Sequence, residues 1–448
     1  MLAQYLDIVR QFNRDTRLFL FASGLVGFCL FSGIYSLLFN IYLLRLGYGP
    51  QFVGQVNAVG ALAFALCSLP SSFIGSVLGN RRTTIVGLSL AIIGHALTAL
   101  AEFVPVAIRN GYILSMNSLG SLGIALYIVN GYPYLMGVSS SRERKHVFAV
   151  QAALFPLAGF AGSLVGGILP GFFSDLTQLT LDHPTPYSYT LLLASLLLAP
   201  GVLALIATQP SQQQETPDTP IESAPLPLGR IALIASIALL YIASEAAVRT
   251  FFNVYLDDAL KASTALIGTL SAVGQLLAVP AALTMPFLAR RFGTVRTFNG
   301  AVLCAALAVV PLALISHWGV AGLCYMGMIA MAGIRRPAFT VFQQESVPPR
   351  WRTTMTGASA AMTGLGYAAI SLGGGYMIEE MGYCPLFLMA GCLSVVGVAI
   401  FWICMRDHRG GASEVAAAVL TASLQSSQSP GPSARGSGGG AAGPSASP

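Results

Sequence analysis

The sequence predicts an all-α membrane protein whose twelve transmembrane helices form two pseudo-symmetric six-helix bundles. Apolar residues make up 55% of the 448 residues, whereas Asp, Glu, Lys and Arg make up only 9%, against about 25% in soluble domains. Long runs without charge recur along the chain, and short motifs of the first half return in the second half. With a mean hydropathy of +0.71, so few charges could not cover a soluble protein of this size, and lipid is the expected solvent.

The charge-free runs set the number of helices. A helix of about 20 residues crosses a hydrocarbon core of ~30 Å. The run 297–334 would be roughly 57 Å long as one helix, so it must fold back, and the segment 316–319 supplies the turn. A further predicted span, about 230–255, contains Glu245 and Arg249. Six spans therefore precede, and six follow, a central segment rich in Pro, Gln, Ser and Thr.

The predicted organisation has five parts: a cytoplasmic N-terminal segment 1–17, a six-helix bundle 18–208, a cytoplasmic linker 209–228, a second bundle 229–408 and a disordered cytoplasmic tail 409–448. The linker has the composition of a flexible segment, and the tail is mostly Gly, Ser, Ala and Pro. Apolar residues at helical spacing in 2–12 predict a helix that lies on the inner membrane surface, with a frayed terminus as the alternative.

The basic residues indicate the orientation. With the N-terminus in the cytoplasm, seventeen Lys and Arg residues fall in inner segments, whereas the outer loops hold only Arg45, Arg109 and Lys261. This positive-inside bias predicts a multi-pass protein of the inner or plasma membrane with both termini in the cytoplasm. We call the end of the helices that carries Arg45, Arg109 and Lys261 the predicted outer end, and the opposite end the predicted inner end.

The second half of the chain restates the first at an offset of 204–214 residues. The motif 39–43 (FNIYL) in span 1 returns as 252–256 (FNVYL) in span 7, and Val59-Gly60 in span 2 returns as Val273-Gly274 in span 8. Two six-helix halves of the same orientation imply parallel repeats that are related by an axis along the membrane normal.

The basic loops after spans 2 and 8 also correspond, because 79–82 (GNRR) is matched by 293–296 (GTVR). The stretches that carry the loop motif read GSVLGNRR at 75–82 and PFLARRFG at 286–293. Together with the twelve spans and the repeat, these loops resemble the major facilitator superfamily, of bacterial type, over essentially all of 18–408. The family's loop signature contains an acidic residue, but Arg290 stands at that position in the second copy and Ser76 in the first. The carboxylate that usually braces the cytoplasmic gate is therefore missing. The expected residues of these gate loops are Arg81, Arg82, Arg290, Arg291 and Arg296.

Four charged residues lie within the predicted spans, all in the second half: Glu245, Arg249, Arg335 and Arg336. Such charges cost about 2.5–3.5 kcal/mol each at the bilayer centre, and the repeat aligns Glu245 with the neutral Ser32. This asymmetry favours a function for Glu245 and Arg249, which are four residues apart and can pair on one helical face. We expect Glu245 to be the coupling residue and Arg249 its gate; a purely structural pair is the alternative.

Arg335 and Arg336 lie well inside span 10. Adjacent helical residues point about 100° apart, so at most one of the two should face a central cavity squarely. The other should extend to the cytoplasmic interface or pair with Glu345. Arginine in a cavity suits a carboxylate or a phosphate, and anchoring of both residues at the inner face is the alternative.

Uncharged polar residues within the spans are expected to line the pore in part, although hydrogen bonding between helices is an alternative for each. The pore-lining candidates are Asn40, Asn57, His95, Asn130, Tyr132, Asn253 and Gln275. His95 is also a candidate protonation site, with a satisfied packing residue as the alternative.

The chain carries none of the enzyme signatures GxSxG, HExxH or a P-loop. Its seven cysteines form no CxxC pair and none has a histidine at metal-ligand spacing, so we expect no cofactor and no metal. The basic residues lie in short clusters between apolar runs, which is typical of a membrane face rather than of a nucleic-acid-binding surface.

These features predict a secondary active transporter rather than an enzyme. We expect alternating access, with an organic anion or a drug-like compound as the small-molecule substrate. The coupling ion is expected to be a proton rather than sodium, because the one candidate coupling carboxylate lies beside an arginine and no carboxylate cluster is present. The other expected partners are membrane lipids, and the chain is expected to be a monomer. A non-transporting membrane receptor or assembly protein on the same scaffold remains the alternative.

Overall fold

The computed structural model describes residues 12–140, 144–209, 228–347 and 351–403, and this part of the chain is helical without β-strands. Nearly all of the predicted interfacial helix, the linker and the C-terminal tail lies outside the described residues. Of the described residues, those up to 398 form one compact unit, which contains every contact described below, and 399–403 fall outside it.

The first half of the chain forms six spans. They are span 1 (Arg14–Cys29 and Ile34–Arg45), span 2 (Pro50–Leu78), span 3 (Asn80–Ala99, extended by the 3₁₀ turn Leu100–Phe103), span 4 (Val106–Val138), span 5 (Arg144–Thr177) and span 6 (Thr185–Leu196 and Ala199–Ile206).

The second half forms six spans in the same order. They are span 7 (Leu228–Tyr241 and Ala243–Val254, followed by the π-helical turn Tyr255–Ala259), span 8 (Thr264–Phe292), span 9 (Thr294–Leu314), span 10 (Trp318–Glu345), span 11 (Arg352–Met381) and span 12 (Tyr383–Ile403).

Eleven of these spans are long and apolar enough to cross a membrane within the described part of the chain, and Arg352–Met381 is the remaining one. The predicted fold-back between spans 9 and 10 is present. There His317 caps span 10, because its Nδ1 atom accepts a hydrogen bond from the backbone N–H of Gly319 at 3.1 Å. The all-α fold with twelve spans is thus as the sequence predicts.

The repeat is visible in the loops that join spans 2 and 3 and spans 8 and 9. Gly79 has φ = 86° and Gly293 has φ = 87°, and each glycine ends one helix and begins the next. This left-handed conformation is readily adopted by glycine only. Both halves therefore carry glycine at this turn because the backbone there has a positive φ.

Span 1 is interrupted between Cys29 and Ile34. Ser32 in this break has φ = 60°, an uncommon conformation for a residue with a side chain. The break exposes the Ser32 carbonyl oxygen, which accepts a hydrogen bond from the Ser163 hydroxyl of span 5 at 2.5 Å. Span 7 is interrupted at the equivalent level, near Ile242. Both central helices are therefore discontinuous beside the middle of the bundle.

The two halves pack together through spans 2 and 11 and through spans 5 and 8. Glycine permits the closest approaches, because a Cβ on Gly54 would collide with the Ser371 carbonyl and a Cβ on Gly268 with the backbone of Gly167. Both contacts lie in the half of the bundle near the predicted outer end. The halves are thus held tightly together at that end.

Candidate functional site

A cavity of about 610 Å³ lies between the two halves. The first half contributes uncharged polar and aromatic residues, and the second half contributes aromatic and polar residues together with Arg249. Among its lining residues are Tyr35, Asn40, Asn57, His95 and Asn117 from the first half and Tyr241, Arg249, Phe339, Gln343 and Tyr367 from the second. The cavity therefore offers polar groups on one side and a cation on the other.

Glu245 is buried beside this cavity and is bound by three arginines. Its Oε1 atom accepts hydrogen bonds from Nε of Arg249 at 2.6 Å and from a guanidinium nitrogen of Arg336 at 2.6 Å. Its Oε2 atom accepts a hydrogen bond from Arg335. The pair that the sequence predicts between Glu245 and Arg249 is present, but it is part of a larger cluster of one anion and three cations.

The three arginines differ in their surroundings. The Arg335 side chain is 5% exposed and its guanidinium lies 4.6 Å from the centre of the Tyr241 ring, a cation–π contact. The Arg336 side chain is 61% exposed, and Arg249 lines the cavity and donates to the Ser32 hydroxyl at 3.3 Å. Arg335 is thus enclosed by protein, whereas Arg249 and Arg336 are accessible.

One expectation for span 10 is wrong. The second arginine was expected to reach the inner interface or to pair with Glu345, but Arg335 and Arg336 both bind Glu245. The two side chains leave the helix in different directions and then converge, because a long arginine side chain can bridge the angular separation of adjacent residues. Glu245 attracts both, since it is the buried carboxylate at this level of the described bundle.

The seven pore-lining candidates lie in different places. Asn40, Asn57 and His95 line the cavity. The other four do not: Asn130 donates to Ser71 of span 2, Tyr132 lies beside Phe148, Asn253 donates to the backbone of span 1, and Gln275 donates to Tyr325. These contacts are mostly hydrogen bonds between helices.

His95 lies in the first-half wall of the cavity. Its ring is 4.4 Å from the ring of Tyr35, and its Nδ1 atom and the Tyr35 hydroxyl make no hydrogen bond of normal geometry within the described part. The neighbouring amides are paired, since Asn57 donates to Asn40 Oδ1 at 2.9 Å. Both atoms are shielded from the cavity, and Nδ1 of His95 faces Gly120 of span 4.

The predicted gate arginines are mostly exposed. Arg82, Arg290, Arg291 and Arg296 face outward, with Arg291 over the ring of Phe292. Arg81 differs, because it donates to the Ile206 carbonyl at 2.6 Å and to the Thr208 hydroxyl at 3.1 Å. It thus pairs with one backbone carbonyl, that of Ile206, at the end of span 6.

An ion pair between the halves has no local sequence signal. At the predicted outer end, Arg45 of span 1 binds Asp257 of span 7 through two parallel hydrogen bonds of 2.7 Å. Arg45 also donates to the Leu181 carbonyl at 2.9 Å. The π-helical turn at Tyr255–Ala259 carries Asp257, and such turns are frequent at functional sites.

In the described part of the chain, twelve helical spans, eleven of them apolar enough to cross a membrane, form two repeated halves around a central cavity and define a multi-pass membrane transport protein. The profile of the Major Facilitator Superfamily matches residues 19–371. The chain belongs to this superfamily. No curated protein matches the chain by sequence.

Solved structures with the same fold support this assignment. A D-xylose-proton symporter aligns with a TM-score of 0.70 and 14% identity over 87% of this chain and 97% of its own. The nucleoside transporter NupG aligns at 0.66 and 14% over 87% and 99%. The human organic anion transporter TETRAN aligns at 0.60 and 14% over 86% and 98%. At these identities the likeness concerns the fold alone.

Proposed function

We propose that this protein is a secondary active transporter that carries a small organic anion together with a proton by alternating access. The observation that carries the proposal is the convergence of three arginines on one buried carboxylate beside the cavity. Solute transport across a membrane follows from the family; the substrate class and the coupling are the proposal.

The charge of the cluster supports an anionic solute. One carboxylate facing three guanidinium groups leaves a net charge of about +2 within the cluster, in a region where unpaired charge is expensive. Arg249 lines the cavity and can reach a solute there, and the neighbouring Arg336 side chain is 61% exposed. Their planar groups match a carboxylate or a phosphate through paired hydrogen bonds.

Two arginines share one oxygen of Glu245, and this arrangement supports a coupling of proton binding to anion binding. Arg249 and Arg336 both donate to the same Oε1 atom. A solute carboxylate that binds either arginine competes with Glu245 for it. A proton on Glu245 removes that competition, so proton and anion favour each other's binding, and linkage requires the effect to be reciprocal. Arg335 on Oε2 stabilises the ionised carboxylate when no solute is bound.

The cavity suits the remainder of an organic solute. Its volume of about 610 Å³ lies within the ~300–1,000 Å³ typical of small-molecule sites. Aromatic residues such as Tyr35, Tyr241 and Phe339 offer apolar contact, while Asn57 and His95 offer hydrogen bonds. Among the proteins of the same fold are a proton symporter and an organic anion transporter, by their names.

The movement follows from the two halves. We propose that the bundles 18–208 and 229–408 rock against each other around the cavity, as parallel repeats allow. The interruptions of spans 1 and 7 lie beside the charged cluster and give these helices freedom to bend. The predicted outer end is taken as extracellular, both termini as cytoplasmic, and the transporter as a monomer.

Uptake by reconstituted proteoliposomes tests the proposal. Radiolabelled benzoate, salicylate and p-aminohippurate are each compared with the corresponding neutral amide, with and without an imposed proton gradient. At least one anion should accumulate against its gradient in proteoliposomes and not in protein-free liposomes, whereas its amide should accumulate in neither. The wild-type protein is compared with Arg249→Gln and with the exposed-loop control Arg82→Gln.

Three results would contradict the proposal. Equal uptake of anion and amide would exclude recognition by the arginines. Absence of gradient-driven uptake across the panel, with correctly inserted protein, would favour the receptor or assembly role instead. If Arg82→Gln lost as much uptake as Arg249→Gln, the loss would not depend on the charged cluster.

A further inference from the structure

We infer that Asn40 and Asn253 form a reciprocal latch that holds spans 1 and 7 together at the predicted outer end. The inference concerns a conformational device and does not depend on which solute is carried. It rests on a set of hydrogen bonds between the two halves that obeys the symmetry of the repeat.

The first layer of the latch consists of two equivalent bonds. Nδ2 of Asn40 donates to the Thr250 carbonyl at 2.8 Å, and Nδ2 of Asn253 donates to the Leu37 carbonyl at 3.1 Å. Asn253 follows Asn40 by 213 residues, and Thr250 follows Leu37 by the same 213 residues. Each half therefore donates one of these hydrogen bonds to the other half and accepts the equivalent bond from it.

A second layer supports the first. The Oδ1 atom of Asn40 accepts a hydrogen bond from Asn57 of span 2 at 2.9 Å, and Oδ1 of Asn253 accepts one from Ser271 of span 8 at 3.4 Å. Asn57 and Ser271 are equivalent in the repeat, 214 residues apart. Both amides are thus held in orientation by the neighbouring span, and each Nδ2 is directed at the opposite half.

These bonds are suited to repeated opening. Leu37 and Thr250 lie inside helices, where their carbonyls also face an N–H donor one turn later. A carbonyl oxygen can accept two hydrogen bonds, so separation of the halves removes one bond and leaves no carbonyl without a partner. Only the two amide donors then need water. The latch can therefore release without leaving an unpaired charge, in contrast to an ion pair.

The two asparagines of the latch differ in whether they line the cavity. Asn40 and Asn57 are among its lining residues, whereas Asn253 and Ser271 are not. Asn253 and Ser271 are instead packed between spans 1, 7 and 8. The symmetric latch thus forms the wall of the cavity towards the predicted outer end on the first-half side.

Distances between spin labels test the latch directly. Labels are placed at Asp182 and Lys261 through D182C and K261C, two exposed loop positions at the predicted outer end in different halves. The seven native cysteines are replaced by serine or alanine. Wild-type asparagines should give one short distance, and the isosteric double variant Asn40→Leu/Asn253→Leu should add a longer population. Each single variant should shift the distribution less than the double variant.

Asn130→Leu is the matched control. This buried amide donates only within the first half, to Ser71 and Leu126. It should leave the distance distribution unchanged at similar cost in stability. A monodisperse double variant with the wild-type distribution would overturn the inference. So would a wild-type protein that already shows the longer distance, or a control variant that shifts as far as the double variant. If the double variant fails to fold, the two single variants decide by the same criterion.

Discussion

The asparagine bonds at the predicted outer end follow the symmetry of the repeat, whereas the charged cluster departs from it. At the outer end the bonds between Asn40 and Asn253 and the facing backbone are nearly identical in the two halves. In the cluster Glu245 and its arginines belong to the second half alone, and the equivalent of Glu245 is the neutral Ser32. In our proposals, the asparagine bonds that both halves share contribute to closure, and the charged residues of the second half alone carry the coupling.

Replacing Glu245 should have the largest effect on transport, because it removes the anion around which the asymmetric cluster is built. Glu245→Gln leaves no carboxylate in the cluster for a proton to bind, so gradient-driven accumulation should be abolished. Exchange of solute in counterflow should persist, because it needs no net movement of protons. Counterflow and uptake are measured in the same proteoliposomes, with the exposed Glu380→Gln as control. Undiminished accumulation in Glu245→Gln would place the coupling proton elsewhere.

Loss of the outer ion pair should have the next largest effect. Asp257→Ala leaves the partly buried Arg45 without its charged partner, at a cost of about 1.5–3 kcal/mol for hydrogen bonds to a charged group. The apparent melting temperature should fall. The exposed pair of Lys261 and Asp258 provides the control, since Lys261→Ala should change almost nothing.

Reversal of the charges sharpens this test. Arg45→Asp combined with Asp257→Arg should recover part of the stability that either single change removes. Recovery should be incomplete, because the bond from Arg45 to the Leu181 carbonyl is lost. A double variant no more stable than the worse single variant would argue against a specific pair.

The two neighbouring arginines should separate binding from stability. Arg336→Gln should raise the KM for the transported anion about tenfold, or about 1.4 kcal/mol, with little change in melting temperature. Arg335→Gln should mainly lower the melting temperature, because this side chain is enclosed between Glu245 and Tyr241. Arg336→Lys should restore only part of the affinity. The same effect of both Gln variants on KM and on stability would contradict the division of roles.

The smallest effect is expected in the basic loops. Arg81→Gln removes the bonds to the end of span 6 and should cost about 0.5–1.5 kcal/mol of stability. Arg82→Gln, its exposed neighbour, should cost nothing measurable. Thermal unfolding of the two purified variants provides the comparison, and equal stability would show that the span 6 contact is unimportant.

Much of the fold could be predicted from sequence because the signals are local. Charge-free runs mark the spans, and the length of 297–334 requires the fold-back that His317 caps. The pair of Glu245 and Arg249 follows from helical spacing alone. The glycines at 79 and 293 were identifiable through the repeat.

The rest of the site depends on which helices meet. Arg335 and Arg336 reach Glu245 across about 90 positions of sequence, and Asp257 reaches Arg45 across more than 200. No pattern within one span specifies such pairs. The interruption at Ser32 was equally hidden, since its left-handed backbone is held by contacts such as that with Ser163.

Proton uptake on anion binding tests the central claim most directly. The anion that accumulates in proteoliposomes is titrated into detergent-solubilised protein in weakly buffered solution with a pH indicator. Competition between the anion and Glu245 for Arg249 and Arg336 predicts uptake of close to one proton per anion bound by the wild type. Glu245→Gln should bind the anion without proton uptake. Binding without proton uptake by the wild type, or unchanged uptake in the variant, would contradict the account.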